Sequence, residues 1–153
     1  MIRILCLSGP NLQLLGTREP AIYGTTTLAQ LHAELTAHAE ALGASLDCRQ
    51  SNHEGELLDW LGAARGQFDG IVLNAGAYSH TSLALYDALR AIDVPCIEVH
   101  LSNPEAREAF RHHSTIAAAC VGKIAGFGTD SYRLALEGLV RWLTRRASEL
   151  TAH

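Results

Sequence analysis

Short apolar runs closed by Gly, Pro or Asn alternate with longer amphipathic stretches from one end of this 153-residue chain to the other. Few folds accommodate that alternation: strands separated by helices lie parallel, and helices cover both faces of the sheet. A first strand is expected over 3–8, closed by Gly9-Pro10-Asn11. Thr27-Leu28-Ala29-Gln30 has capping-box spacing and opens a helix to about residue 42, before Gly43. Further strands are expected over 45–50, 70–74, 96–101 and 118–124, with helices over 54–65, 82–92 and from 131 to about 150. Asn103-Pro104-Glu105 starts a short helix, with Asn as cap and Pro at its first position.

Five strands in this rhythm, with no internal repeat or linker, predict a single domain over 1–153. Its class is α/β: a flavodoxin-like, doubly wound five-stranded parallel sheet of order 2-1-3-4-5 in a three-layer sandwich. A chain of this length buries roughly 70% of its unfolded surface, enough for a core without metals or disulfides. Ligands in such sheets bind beyond the carboxyl ends of the strands, where strand order reverses, here between the first and third strands. That directs attention to 11–24, 74–80 and 100–111.

Composition excludes several classes. A net charge of −4 gives no general basic footprint for nucleic acid. No apolar run approaches the ~20 residues that cross a bilayer, and the opening stretch is too short for a signal peptide, so a cytoplasmic protein is expected. Cys6, Cys48, Cys96 and Cys120 form no Cys-x-x-Cys pair and read as buried, inert thiols in strands. Lys123 is the single lysine beside eleven arginines, so Schiff-base chemistry would have to use it. Dinucleotide, phosphate-loop, zinc and nucleophile-elbow spacings all fail.

The strand ends carry the informative residues, each with two readings open. The loop after the first strand, about 11–26, is long enough to be a lid. Its Tyr23 is either a surface aromatic or a base whose phenolate neighbouring Arg18 favours. In the fourth strand Glu98, His100 and Ser102 share one face by period two. That is either the solvated face of an edge strand or an acid–base histidine held by Glu98. After Asn74, Ala75 and Gly76 let backbone approach a ligand, while Ser79, His80 and Thr81 could merely cap the next helix. Asp87 lies two helical turns beyond His80, on nearly the same face. Arg107 and Arg111, four apart, are a solvated basic edge or a carboxylate clamp.

Gly9-Pro10-Asn11-Leu12, Arg18-Glu19-Pro20-x-x-Tyr23-Gly24, Asn74-Ala75-Gly76-Ala77, Glu98-Val99-His100-Leu101-Ser102-Asn103 and Arg107-Glu108-x-Phe110-Arg111, in this order, resemble type II 3-dehydroquinate dehydratase. The resemblance implies a hydro-lyase without metal or cofactor, a dodecamer built from trimers. It implies anti elimination of water from 3-dehydroquinate through an enolate, giving 3-dehydroshikimate in the shikimate pathway. The same reaction in quinate breakdown, and a non-catalytic flavodoxin-like binding module, are the alternatives. By resemblance Tyr23 is the base, Arg18 supports its phenolate, and His100 is the general acid oriented by Glu98. Asn11 positions a water against the enolate oxygen. Asn74, His80, Arg111 and the backbone of Leu101 and Ser102 contact substrate, and Asp87 is offered across a subunit interface. Arg107 stands one layer behind. Ser79, Tyr86 and Ser131 depart from the family's Thr, Arg and Gly.

Overall fold

The computed structural model describes residues 1–17 and 19–152, with Ile22 and Tyr23 described by their backbone alone. Five parallel strands form one sheet: β1 (Ile2–Ser8), β2 (Ala44–Gln50), β3 (Gly70–Asn74), β4 (Cys96–His100) and β5 (Gly122–Ala125), in the order β2-β1-β3-β4-β5. The expected topology is therefore the observed one. A four-residue helix, α1 (Pro20–Tyr23), lies in the first loop, followed by α2 (Leu28–Ala41), α3 (Glu54–Ala64), α4 (Leu83–Ile92) and α5 (Asp130–Thr151).

Alternation along β1 decides the layers. Ile4 and Cys6 join one core cluster with Leu31 and Leu35 of α2 and Leu136 and Leu139 of α5. Leu5 and Leu7 join the opposite cluster with Leu57 and Leu61 of α3 and Leu85 and Leu89 of α4. Both faces of a central parallel strand are thus dry, as its crossover helices require. The capping box forms as read: the Gln30 amide donates to Thr27 Oγ1 (3.2 Å), and the Thr27 amide donates to Gln30 Oε1 (2.9 Å). Ser82 caps α4 by accepting the Leu85 amide at 2.9 Å.

Four expectations are corrected. The apolar run at 118–121 is no strand: Ala117–Ala119 is a 3-10 turn, and β5 starts only at Gly122. Ser114 Oγ accepts the Ala117 amide at 3.1 Å and starts that turn, a local bond that apolar content does not reveal. Cys120 therefore lies outside the sheet, and Cys48 and Cys120 are only half-buried, unlike Cys6 and Cys96. The helix expected at Asn103 is two 3-10 turns, Pro104–Ala106 and Ala109–Arg111, broken by extended backbone at Arg107 (φ −109°, ψ −163°). His80 ends a separate 3-10 turn, Gly76–His80, so no continuous helix carries it with Asp87.

The first loop is anchored at its base. Leu12 and Leu15 are buried in the α2/α5 core, Leu12 within the 3-10 turn Leu12–Leu14. The Gly9 amide donates to Asn74 O at 2.8 Å, and a Cβ at Gly9 would sit 2.6 Å from Ala75 O. Only glycine lets the ends of β1 and β3 approach so closely. Ser131, one of the departures from the family pattern, is buried and accepts the Phe127 amide at 3.0 Å, fixing the turn into α5.

Candidate active site

A cavity of about 140 Å³ opens at the carboxyl ends of β1, β3 and β4. Asn11, Asn74, His80 and His100 line it, with Leu101, Ser102, Arg107 and Arg111 from the segment after β4. This is the strand-order reversal point of the sheet. A larger groove, about 1060 Å³, lies at the opposite, amino ends, between Met1, Pro95 and Trp142. Acid–base side chains converge on the smaller cavity, which makes it the candidate site.

His100 and Glu98 form the centre. β4 lies between β3 and β5, and Glu98 is 0% exposed, so the solvated-edge reading is wrong. His100 Nε2 meets Glu98 Oε2 at 2.5 Å, leaving Nδ1 as the ring nitrogen not engaged by Glu98. Ser114 Oγ lies 2.9 Å from each Glu98 oxygen, and Lys123 Nζ lies 3.9 Å from Oε2. Burial opposes ionisation of Glu98. The hydrogen bond and charge of His100, the Ser114 hydroxyl and the Lys123 ammonium outweigh it and hold the carboxyl below its ordinary range.

His80 is fixed by a segment distant in sequence. Its Nδ1 donates to the His113 carbonyl at 2.8 Å, which leaves Nε2 unclaimed by that bond. The Thr115 hydroxyl donates to His80 O at 3.0 Å, and the Thr115 amide to Ser79 O at 2.7 Å. Asn74 is 4% exposed, and its Oδ1 accepts the Gly76 amide at 3.1 Å. Near it, fully buried Tyr132 has its phenol oxygen 2.9 Å from Ser8 Oγ, a dry polar pair beneath the strand ends. Burial pushes the Tyr132 phenol well above its usual range.

Both arginines reach the cavity although no shared helix carries them. Arg107 Nη1 donates to Ser102 Oγ at 3.4 Å, and Arg111 Nε donates to exposed Glu108 at 2.7 Å. Asn11 has a left-handed backbone (φ 70°), and its amide donates to Asn52 Oδ1 at 3.0 Å. Gln50 Nε2 donates to Gly9 O at 3.0 Å, so the end of β2 braces the loop's root. Asp87 is exposed on α4 and does not line the cavity. Arg18 and the side chain of Tyr23 lie outside the described residues.

Sequence reasoning missed the contacts of Ser114 and Lys123 with Glu98, of Asn52 with the Asn11 amide and of Tyr132 with Ser8. Ser114 sits in an irregular segment 16 residues from Glu98, where no periodicity points at a partner. Lys123 was legible only through register, since β4–β5 pairing sets it opposite Glu98.

The family model for dehydroquinase class II matches residues 2–140. The chain belongs to the class II dehydroquinases. A 3-dehydroquinate dehydratase of Ruegeria pomeroyi is 56% identical over 144 residues, covering 94% of this chain and 97% of that one. An Aspergillus terreus protein named catabolic 3-dehydroquinase 1 is 57% identical over 134 residues, covering 88% of each. The crystal structure of type II dehydroquinase from Propionibacterium acnes superposes with a TM-score of 0.89 at 45% identity, over 92% of this chain and 97% of that one. This chain thus shares its fold with a solved type II dehydroquinase.

Proposed function

We propose that this class II dehydroquinase removes water from 3-dehydroquinate by anti elimination through an enolate, with Tyr23 as base and His100 as acid. As a member of its family the chain is a hydro-lyase acting on 3-dehydroquinate. The observation that carries the residue assignment is the buried His100–Glu98 pair opening onto a cavity that also holds Asn74, His80 and Arg111. β-Elimination next to a ketone needs a base for the α-proton, a stabiliser for the enolate oxygen and an acid for the leaving hydroxyl.

In this reading Tyr23, its phenolate supported by Arg18, takes the proton alpha to the ketone. Asn11 holds a water against the enolate oxygen. Charged His100 gives its proton to the leaving hydroxyl, which departs as water, while Glu98 orients the ring and matches its charge. Arg111 takes the substrate carboxylate, exchanging its contact with solvent-facing Glu108 for a bidentate one. Asn74, His80 and the backbone of Leu101 and Ser102 hold the hydroxyls. The loop over about 11–26 is the lid of a single catalytic domain over 1–153.

The working unit is a dodecamer built from trimers, in the cytoplasm, with Asp87 at an interface; its exposure on α4 beside Leu83, 70% exposed, supports that surface. An active monomer in light scattering would overturn this. The pathway role is biosynthetic, and gene disruption should create a requirement for aromatic amino acids.

The deciding experiment is Tyr23→Phe. It should lower kcat by at least the ~10²–10⁴ typical of general-base loss while leaving far-UV circular dichroism unchanged. Retention of more than about a tenth of wild-type kcat means that Tyr23 is not the base.

A further inference from the structure

A fully buried carboxylate is costly to leave without a counter-charge. Glu98 faces that problem once per turnover. While His100 is charged, the pair is neutral overall. Once His100 has given up its proton, Glu98 remains an anion at 0% exposure facing an uncharged ring. Ser114 supplies a hydroxyl but no charge.

Lys123 is in place to supply it. β5 runs parallel to β4 with Lys123 registered opposite Glu98, and its ammonium lies 3.9 Å from Glu98 Oε2, the oxygen that also meets His100. Its side chain is 31% exposed and is absent from the cavity lining, so it stays hydrated while touching the carboxylate from behind. We propose that Lys123 is a positioning residue that makes His100 a stronger acid, by balancing Glu98 in the state left after proton donation. The inference rests on the reading of His100 as the acid.

Among the described residues, the charged and titratable groups facing His100 are Glu98 from β4, His80 from the turn after β3, and Arg107 and Arg111 from the segment after β4; Glu98 in turn meets Lys123 from β5. Among the described charged groups, Lys123 alone reaches the carboxylate without lining the cavity. The lowering of the Glu98 carboxyl, to which Lys123 contributes, agrees with this geometry. Removing the ammonium strengthens the hold of Glu98 on the His100 proton.

The test compares kcat against pH for wild type, Lys123→Met, Lys123→Arg and His100→Ala. A general acid works only while protonated, so kcat falls as pH rises through its titration. In Lys123→Met that alkaline limb should move up by roughly half a pH unit or more, with a plateau several-fold lower, as expected of a weaker acid. Lys123→Arg should restore both, which a merely structural role would not predict. A Lys123→Met profile superimposable on wild type overturns the inference. A wild-type kcat in His100→Ala overturns the reading beneath it and is distinguishable from that result. A second measurement needs no variant at position 123. Lys123 is the only lysine, so ¹³Cε-lysine labelling gives one side-chain signal. That signal should move in a step as the His100–Glu98 pair titrates, and the step should vanish in His100→Ala; its persistence there overturns the contact.

Discussion

The imidazoles of His80 and His100 stack across the cavity, with ring centroids 6.1 Å apart and planes inclined by 19°. The two rings are held by different partners. His80 donates Nδ1–H to a backbone carbonyl, whereas His100 meets a buried carboxylate, so one ring is anchored by the main chain and the other is paired with an acid.

His100→Ala should act mainly on kcat, by roughly 10²–10⁴. Arg111→Ala should act mainly on KM, because a carboxylate contact is made in ground and transition state alike. Steady-state kinetics of both variants is the check, and the reversed pattern would mean that the roles are exchanged.

Glu98 sets an acid limit on stability. Its carboxyl is held below the ordinary range, so its contribution is fully present above about 4.3, the unfolded value, and is lost as pH falls through the lower folded value. Glu98→Gln keeps the shape and removes that ionisation. Its melting temperature should fall less steeply than wild type between about pH 5 and pH 2.

Tyr132→Phe should destabilise the fold by about 1–3 kcal/mol in urea denaturation, since it leaves the buried Ser8 hydroxyl short of a partner in a dry region.

Borohydride added with 3-dehydroquinate should leave activity intact. An imine would need Lys123, and Lys123 touches Glu98 without lining the cavity. Mass added covalently at Lys123 with loss of activity would replace the enolate route by an imine.

Fold class and strand order were legible because they rest on local rules. Apolar runs of five to seven residues, the Thr27/Gln30 box and the glycine stops act within one or two turns of chain, and right-handed crossovers leave few ways to assemble the strands. The same rules failed where one side-chain cap or one backbone break overrides apolar content. Ser114 converts an apolar run into a 3-10 turn, and the extended backbone at Arg107 splits one short helix into two turns.

For the site, the sequence by itself determined which residues stand at the strand ends. Period two placed Glu98 and His100 on one face of β4, and both lie at the centre of the cluster. Tertiary structure alone decided that this face is dry. Glu98 is buried because β5 flanks β4 and the segment around Ser114 lies over it, and neither fact is written near residue 98. The contacts that complete the site, Ser114 and Lys123 on Glu98 and His113 on His80, join groups separated by 16 to 33 positions. Sequence spacing carries no distance at that range; only packing of the sheet against its covering segments supplies one.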